Sequence, residues 1–322
     1  MGRPGVAWDN LPSSMPGLLD VILGYDCNLA CDYCTITPAM RERALPSAAV
    51  LAQMRSGREL DYDRVAFTGG EPSIRSDLLG LIKAARKLGY VDVKVQSNGL
   101  LFTPGNVARL VDAGVSRFHV SIHTHEPAAY DALVRRPGSY ALMEAGLRSV
   151  VGSGVHVVVD MIIKSDTHVR LPAAVEWAAE RGVPEIHLWY VSLTDGNAEH
   201  HDSLPPMREA VPHMRQAFAV ARARGVEIKS LHVPRCLLGE DHVHAWDPGS
   251  QRVMVVTPDA TFELKRSRLA GQTQVPACSG CEFEPLCPGV RDDYLAHFGD
   301  EEVARARGVA SSRAGRVRLS IV

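Results

Sequence analysis

Five glycine-led breaks recur along the chain: Gly89-Tyr90, Gly114-Val115, Gly154-Val155, Gly182-Val183 and Gly225-Val226. Each separates a helical pattern from a strand-like run. A glycine just past a helix takes the left-handed turn without a Cβ penalty, so each break closes one strand–helix unit and opens the next strand. The strands this predicts are 18–23, 65–68, 91–96, 118–123, 155–163 and 185–192. Between them Leu78, Leu81, Ile82, Ala85 and Leu88 recur at helical spacing, as do Val211, Met214, Phe218 and Ala221. Six strands alternating with helices specify an α/β fold with a parallel sheet and right-handed crossovers. In such a sheet the loops at the C-terminal strand ends carry the chemistry. The rhythm alone does not decide between a closed barrel and an open sheet.

After Gly225 the rhythm breaks. Residues 226–233 read as a short strand, 252–257 and 261–265 as a hairpin around Pro258-Asp259-Ala260, and 290–297 as a helix. The predicted organisation is a lead segment over 1–16, a main domain over 17–226, a small appended domain over 227–300 and a solvated, arginine-bearing tail over 301–322. A length of 322 residues, 46% of them hydrophobic, suffices for one large core and one small one. The net charge of −2 leaves no electrostatic footprint for nucleic acid. No apolar run approaches the roughly 20 residues that span a bilayer, and residues 1–16 lack a signal-peptide core. A cytoplasmic protein that engages neither nucleic acid nor membrane is the expectation.

Seven cysteines, an odd count without a signal peptide, argue against a disulfide framework. They fall into two sets. Cys27, Cys31 and Cys34 lie within eight residues directly after the first strand, and Cys236, Cys278, Cys281 and Cys287 follow the change of rhythm. Three thiolates on one loop can grip three corners of an iron–sulfur cube, which normally takes four, and the missing ligand leaves one iron open. Structural zinc is the alternative, but its sites pair two separated Cys-x2-Cys-like halves, and this loop has no second half. The other four thiolates could close a tetrahedral zinc site or a fully ligated cluster.

Other motifs sit at strand ends. Thr68-Gly69-Gly70-Glu71-Pro72 closes strand two, where two glycines allow close backbone approach and the carbonyls and Glu71 can accept hydrogen bonds from an ammonium group; an ordinary turn is the alternative. Ser97-Asn98-Gly99 closes strand three and could likewise be a plain turn. His119, Ser121 and His123 alternate along strand four, where a buried parallel strand should be apolar. Asp160 interrupts the apolar fifth strand, a costly place for a carboxylate unless it is paired or lines a cavity. Tyr190 and Ser192 are weaker candidates of the same kind.

The cysteine loop together with Gly69-Gly70-Glu71-Pro72 resembles the signature of the radical S-adenosylmethionine (radical SAM) family, over roughly residues 17–300. The resemblance implies a partial (β/α)6 TIM-like barrel. It also implies a [4Fe–4S] cluster held by Cys27, Cys31, Cys34 and SAM, reduced by a donor such as flavodoxin or ferredoxin. By the same resemblance Tyr33 lies near the adenine of SAM, Gly69, Gly70 and Glu71 hold its amino group, and Ser97 and Asn98 match the family's third loop. Ser121 and His123 match positions that contact its ribose or carboxylate, a satisfied buried residue being the alternative for either; Asp160, from its place in the strand, reads as lining the barrel interior against SAM or substrate, with a structural hydrogen bond as the alternative. The C-terminal cysteines look like a twitch or SPASM-type auxiliary domain with a second [4Fe–4S] cluster, zinc remaining the alternative.

The function implied is reductive cleavage of SAM and hydrogen abstraction from a substrate. A net oxidation or rearrangement of a small natural-product intermediate is expected, because only 26 residues precede Cys27, too few for a leader-peptide-binding domain. Maturation of a ribosomal peptide is the runner-up. A non-catalytic iron–sulfur carrier or scaffold is the reading from another class, against which the ammonium-binding loop speaks.

Overall fold

The computed structural model describes residues 15–267 and 270–308. The strand–helix rhythm is realised as β1 (Gly17–Ile22), α1 (Ser47–Glu59), β2 (Arg64–Thr68), α2 (Leu78–Lys87), β3 (Asp92–Ser97), α3 (Pro104–Ala113) and β4 (Arg117–Ser121). Two helices, α4 (Pro127–Leu133) and α5 (Ser139–Gly152), precede β5 (His156–Ile163). Then come α6 (Leu171–Glu180), β6 (Glu185–Tyr190), α7 (Met207–Arg224) and β7 (Glu227–Leu231). All five predicted glycine breaks take φ between +68° and +114°. The faces match the apolar periodicity. In α2, Leu78, Leu81, Ile82 and Ala85 are buried, and in α7, Val211, Met214, Phe218 and Ala221 are buried.

The sheet runs β7-β6-β5-β4-β3-β2-β1-β8-β9, with β8 (Arg252–Val256) parallel to β1 and β9 (Thr261–Glu263) antiparallel to β8. From β7 to β8 every pairing is parallel, as right-handed crossovers require. The ends of the order, β7 and β9, do not pair with each other, so the barrel is partial rather than closed.

β7, which follows residue 226, extends one edge of the sheet, while β8 and β9 extend the other. Three expected element bounds shift. The fourth strand ends at Ser121, so His123 lies beyond it, and the sixth ends at Tyr190. The expected helix over 290–297 starts two residues later, as α9 (Asp292–Phe298), because Val290–Arg291 pairs with Gln272–Thr273.

The tail expected from residue 301 is also shorter than its range. Glu301–Arg307 is a helix (called α10, after the four-residue α8, Arg235–Leu238), with Val303 and Ala304 buried. Residues 1–14 and 309–322, which hold most of the lead segment and Arg313, Arg316 and Arg318, lie outside the described residues. Among the described residues no helix is long and apolar enough to cross a membrane.

Candidate active site

Two loops meet at the C-terminal ends of β1 and β2. The Gly70 amide donates to Gly24 O at 2.9 Å and the Glu71 amide to Asp26 O at 2.8 Å. The second loop is therefore zipped onto the segment that leads into the cysteines. The two glycines make this possible. An ideal Cβ on Gly70 would lie 2.1 Å from Asp26 O, and one on Gly69, at φ +139°, would lie 2.4 Å from Gly24 O. The chain's own backbone makes the close approach that these glycines allow.

Glu71 is 3% exposed, and its carboxylate ties the second loop to the third. Oε1 accepts from the Ser73 amide and the Ser97 hydroxyl, and Oε2 from the Asn98 amide. Burial raises the Glu71 carboxyl, with these hydrogen bonds opposing it. One acceptor position on Oε2 is left over for a ligand. Asn98 in turn donates through Nδ2 to Asn28 Oδ1, inside the cysteine loop, at 2.7 Å. Gly70, Glu71, Ser97 and Asn98 thus form one hydrogen-bonded unit against the cysteine loop, with Gly69 packed on Gly24 O.

The cysteine loop is held from several sides. Arg41 donates to the carbonyls of Cys27 and Leu29, and the Asp32 amide donates to Leu133 O at the end of α4. Lys164, past β5, pairs with Asp32 at 3.2 Å. The loop after β6 joins through the Gly196 amide on Thr35 O, and the β8–β9 turn through Asp259, which accepts from Tyr25 Oη and Arg43. No sequence pattern marked Arg41 or Lys164, and Asp259 is legible only as part of a hairpin turn, because each acts across more than ten residues with no periodic signal. All three thiols are half-buried. Burial raises Cys27 and pushes Cys31 up to about 12. Both are thiols in the free chain, and ligation must release their protons.

Tyr33 and His123 meet each other: Tyr33 Oη bonds His123 Nε2, with the rings edge to face at 4.7 Å. Ser121 is half-buried at the end of β4, opposite Asp160 in register. Asp160 is 4% exposed and engaged, Oδ2 with His119 Nδ1 at 3.0 Å and Oδ1 with Trp189 Nε1 at 2.9 Å. Tyr190 Oη is spent on Pro205 O.

Among the described residues, His119, Asp160 and His187 form the only metal-sized group of three or more Cys, His, Asp or Glu, with ligand atoms within 4.8 Å of one another. These groups are already bonded: His187 Nε2 is paired with Glu185 Oε1 at 2.8 Å, and Asp160 with His119 and Trp189. The cluster is a closed polar network across β4, β5 and β6.

Burial brings the His119 imidazole down to about 4, against the pull of Asp160. Burial works to raise Asp160, but His119, its hydrogen bond, His187 and Lys94 outweigh it and bring the carboxyl down to about 2. The His119 shift predicts a pH dependence of folding. From pH 6.5 down to about 4 the unfolded chain binds a proton at His119 that the folded chain refuses, so stability present above pH 6.5 is lost as pH falls through that window. His119→Asn, which keeps a donor for Asp160, is expected to remove about one proton from the slope of stability against pH there. Urea unfolding at pH 7, 5.5 and 4.5 measures it, and an unchanged slope would show that His119 titrates alike in both states.

The second cysteine set also converges. Cys236, Cys278, Cys281 and Cys287 line one cavity together with Pro234, Phe283 and Val303. Burial pushes Cys236 up to about 12, and the other three thiols add to it. Arg307 of α10 donates to Ala277 O and Gly280 O, bracing the loop between Cys278 and Cys281.

The Radical SAM superfamily profile matches residues 21–178. Among curated proteins the chain is 26% identical over 217 residues to "PqqA peptide cyclase" of Gluconobacter oxydans, covering 67% of this chain and 60% of that protein. It is 25% identical over 219 residues to "Probable GTP 3',8-cyclase" of Sulfurisphaera tokodaii, covering 66% and 67%. Each match thus spans about two thirds or less of the relative's length. Among solved structures the chain superposes on Streptococcus suis SuiB bound to S-adenosylmethionine with a TM-score of 0.65 at 13% identity, covering 88% of this chain and 74% of that one. It superposes on anSMEcpe with bound AdoMet and Kp18Cys peptide with a TM-score of 0.65 at 12% identity, covering 91% and 100%. These two likenesses speak to fold. With the zipped cysteine and glycine loops on the matching strands, residues 21–178 of this chain are a radical SAM domain.

Proposed function

We propose that Cys27, Cys31 and Cys34 hold a [4Fe–4S] cluster whose open iron takes SAM, that Cys236, Cys278, Cys281 and Cys287 hold a second, fully ligated cluster, and that the enzyme removes hydrogen from its substrate in a net oxidation. The observation that carries this reading is the joining of the cysteine loop to Gly70 and Glu71 at the sheet's C-terminal edge. An orphaned polar atom fits the first cluster. Tyr130 Oη on α4 is buried, has no hydrogen-bond partner, and lies near enough to Cys31 to feel its charge. An acceptor beside Cys31, such as a cluster sulfur, would satisfy it.

When bound, the first cluster and SAM supply a 5′-deoxyadenosyl radical by one-electron reductive cleavage, and the second cluster supplies an acceptor for one electron. The chain's own residues place and shield these groups. Arg41, Lys164 and Asn98 fix the cysteine loop, and Glu71 braces the loops on which SAM would rest, with one acceptor position left for an ammonium group. Ser121 stands half-buried at the strand ends, where a ligand could reach it. Loss of a hydrogen atom, then of an electron and a proton, oxidises the substrate by two electrons.

Spacing supports clusters over zinc. In a tetrahedral zinc site with Zn–S near 2.3 Å the sulfurs stand about 3.8 Å apart. Neither cysteine set brings three ligand atoms within 4.8 Å. A small natural-product intermediate is the substrate we propose. Peptide maturation is the second reading, favoured by the PqqA peptide cyclase relative and by the likeness to SuiB, which has been seen bound to precursor peptide SuiA.

The test is anaerobic reconstitution followed by iron and sulfide counts and a 5′-deoxyadenosine assay. About eight irons per chain are expected, falling to about four in Cys278→Ala/Cys281→Ala, which should keep SAM cleavage and lose product. Iron unchanged in that variant would defeat the second cluster, and product formed at the wild-type rate would defeat its role as electron acceptor.

A further inference from the structure

The polar side chains of β4, β5 and β6 that face away from the surrounding helices converge on Asp160. Phe118 packs on Phe102, just before α3, so its neighbour His119 points to the opposite, interior face of the sheet. Asp160 is paired in register with His187 on one side, and its partner on the other, Ser121, is two residues past His119. The His119 and His187 rings stand edge to face with centroids 5.5 Å apart. Each turns its Nδ1 toward the Asp160 carboxylate.

One joint of this network is not a hydrogen bond. Glu185 Oε1 accepts from Lys229 Nζ and lies 2.8 Å from His187 Nε2. Burial works to raise the Glu185 carboxyl, but His187, Lys229 and His156 outweigh it and hold it well below the usual range. As a carboxylate it can only accept, so His187 Nε2 carries a proton. In the neutral ring Nδ1 is then a bare lone pair, and it faces Asp160 Oδ1 at 3.6 Å. That oxygen is an acceptor too, already bonded by Trp189 Nε1. Two acceptors aimed at each other repel unless a positive charge lies between them. The separation is too long for a hydrogen bond. It is close to that of two ligands at about 2.1 Å on one tetrahedral cation, which stand about 3.4 Å apart.

We propose that His119 Nδ1, His187 Nδ1 and an Asp160 oxygen bind one divalent first-row metal ion inside the barrel. Two imidazoles and one carboxylate, with the remaining positions open to water, are a donor set that holds such ions. The three ligand atoms lie within 4.8 Å of one another. The outer contacts suit a metal site as well: Glu185 holds His187 in the tautomer that frees Nδ1, and Trp189 fixes the carboxylate. The ion displaces the proton that His119 Nδ1 shares with Asp160, and that proton moves to Nε2. The pH dependence of folding tied to His119 is that of the metal-free chain. Lys94 opposes the ion. It lies on the same face of β3, two residues before the register partner of His119, and its charge acts on both His119 and Asp160. The site uses none of the cysteines, so it stands or falls apart from the iron–sulfur reading.

The experiment titrates manganese(II) into holoenzyme that has been reconstituted, oxidised and washed with chelator. Electron paramagnetic resonance counts the free ion by its six-line signal. Manganese is the probe because it favours imidazole and carboxylate over the thiolates elsewhere in the chain. About one ion per chain is expected to bind. His187→Asn, which keeps a donor toward Glu185 but lacks the imidazole, should weaken binding by about 100-fold or more. Lys94→Gln removes none of the three ligands and should tighten binding severalfold by removing the opposing charge. Manganese should also raise the thermal midpoint of the wild type and leave that of His187→Asn unchanged. Equal binding by wild type and a folded His187→Asn protein would overturn the site. No binding at millimolar manganese, with both ring nitrogens of His187 protonated near neutral pH, would assign the joint to a proton and overturn it as well.

Discussion

A chain carrying Cys27→Ala, Cys31→Ala and Cys34→Ala together is expected to lose 5′-deoxyadenosine formation completely while remaining folded. Enzymic rates stand roughly a millionfold or more above uncatalysed ones. Loss of the three ligands proposed to leave an iron open to SAM should therefore return the assay to its protein-free background. The fold should survive because the thiols contribute little to it. They are half-buried, and the loop around them is held by Arg41, by the Asp32 amide on Leu133 O and by Lys164 on Asp32. Iron should fall by about four per chain, with the remainder assigned to the C-terminal set. Thermal unfolding of the metal-free proteins measures the first point, and iron counts with chromatographic detection of deoxyadenosine measure the second. Residual cleavage well above background in the triple variant would move the SAM-activating centre away from this loop.

Much of this architecture is readable before any coordinates, because it rests on local periodicity. Five glycine breaks and six apolar runs place β1 to β6 within two residues of their observed ends. What escaped is what depends on distant partners. β8 pairs with β1 across more than two hundred residues, in parallel, and a hairpin pattern says nothing about which edge it will join. β7 carries only five residues of pattern, so it read as the start of something new rather than as the seventh strand. Helix α10 was hidden by its arginines, although Val303 and Ala304 bury one side of it and Arg307 reaches the second cysteine loop.

The site divides in the same way. Ligating residue types at fixed spacing along one loop are visible in sequence, and the structure brings each cysteine set to one place. The direction in which a polar side chain is used is not visible. Glu71 looked like a free carboxylate and is mostly consumed inside the protein. Asp160 looked like a group facing a ligand and is paired with His119 and Trp189. Tyr33 and His123, ninety residues apart, were read as two separate contacts to one ligand and bond each other. In all three cases the deciding partner comes from a neighbouring strand, and no local signal announces it.

Gly70→Ala should damage the protein more than any other single methyl group added to this site. The added Cβ would lie 2.1 Å from Asp26 O and 2.5 Å from Tyr25 O, and both obstacles are backbone, which cannot swing aside as a flexible side chain can. Relief requires the second loop to lift off the first, which breaks the Gly70 and Glu71 amide bonds to Gly24 O and Asp26 O. Overpacking and lost hydrogen bonds together suggest a cost of roughly 3 kcal/mol. The movement also carries Glu71 away from Ser97 and Asn98, and Asn98 is the link to Asn28 in the cysteine loop. A displacement near 1 Å between the cysteine loop and the Gly69–Glu71 loop is expected to slow SAM cleavage about 100-fold. Gly80→Ala is the matched control. It lies inside α2, has nothing within 4 Å of its added Cβ, and should be neutral or stabilising. Urea unfolding of the two variants beside the wild type, with deoxyadenosine rates for each, decides the matter. If Gly70→Ala matched Gly80→Ala in both measurements, the backbone contact between the two loops would not be what positions this site.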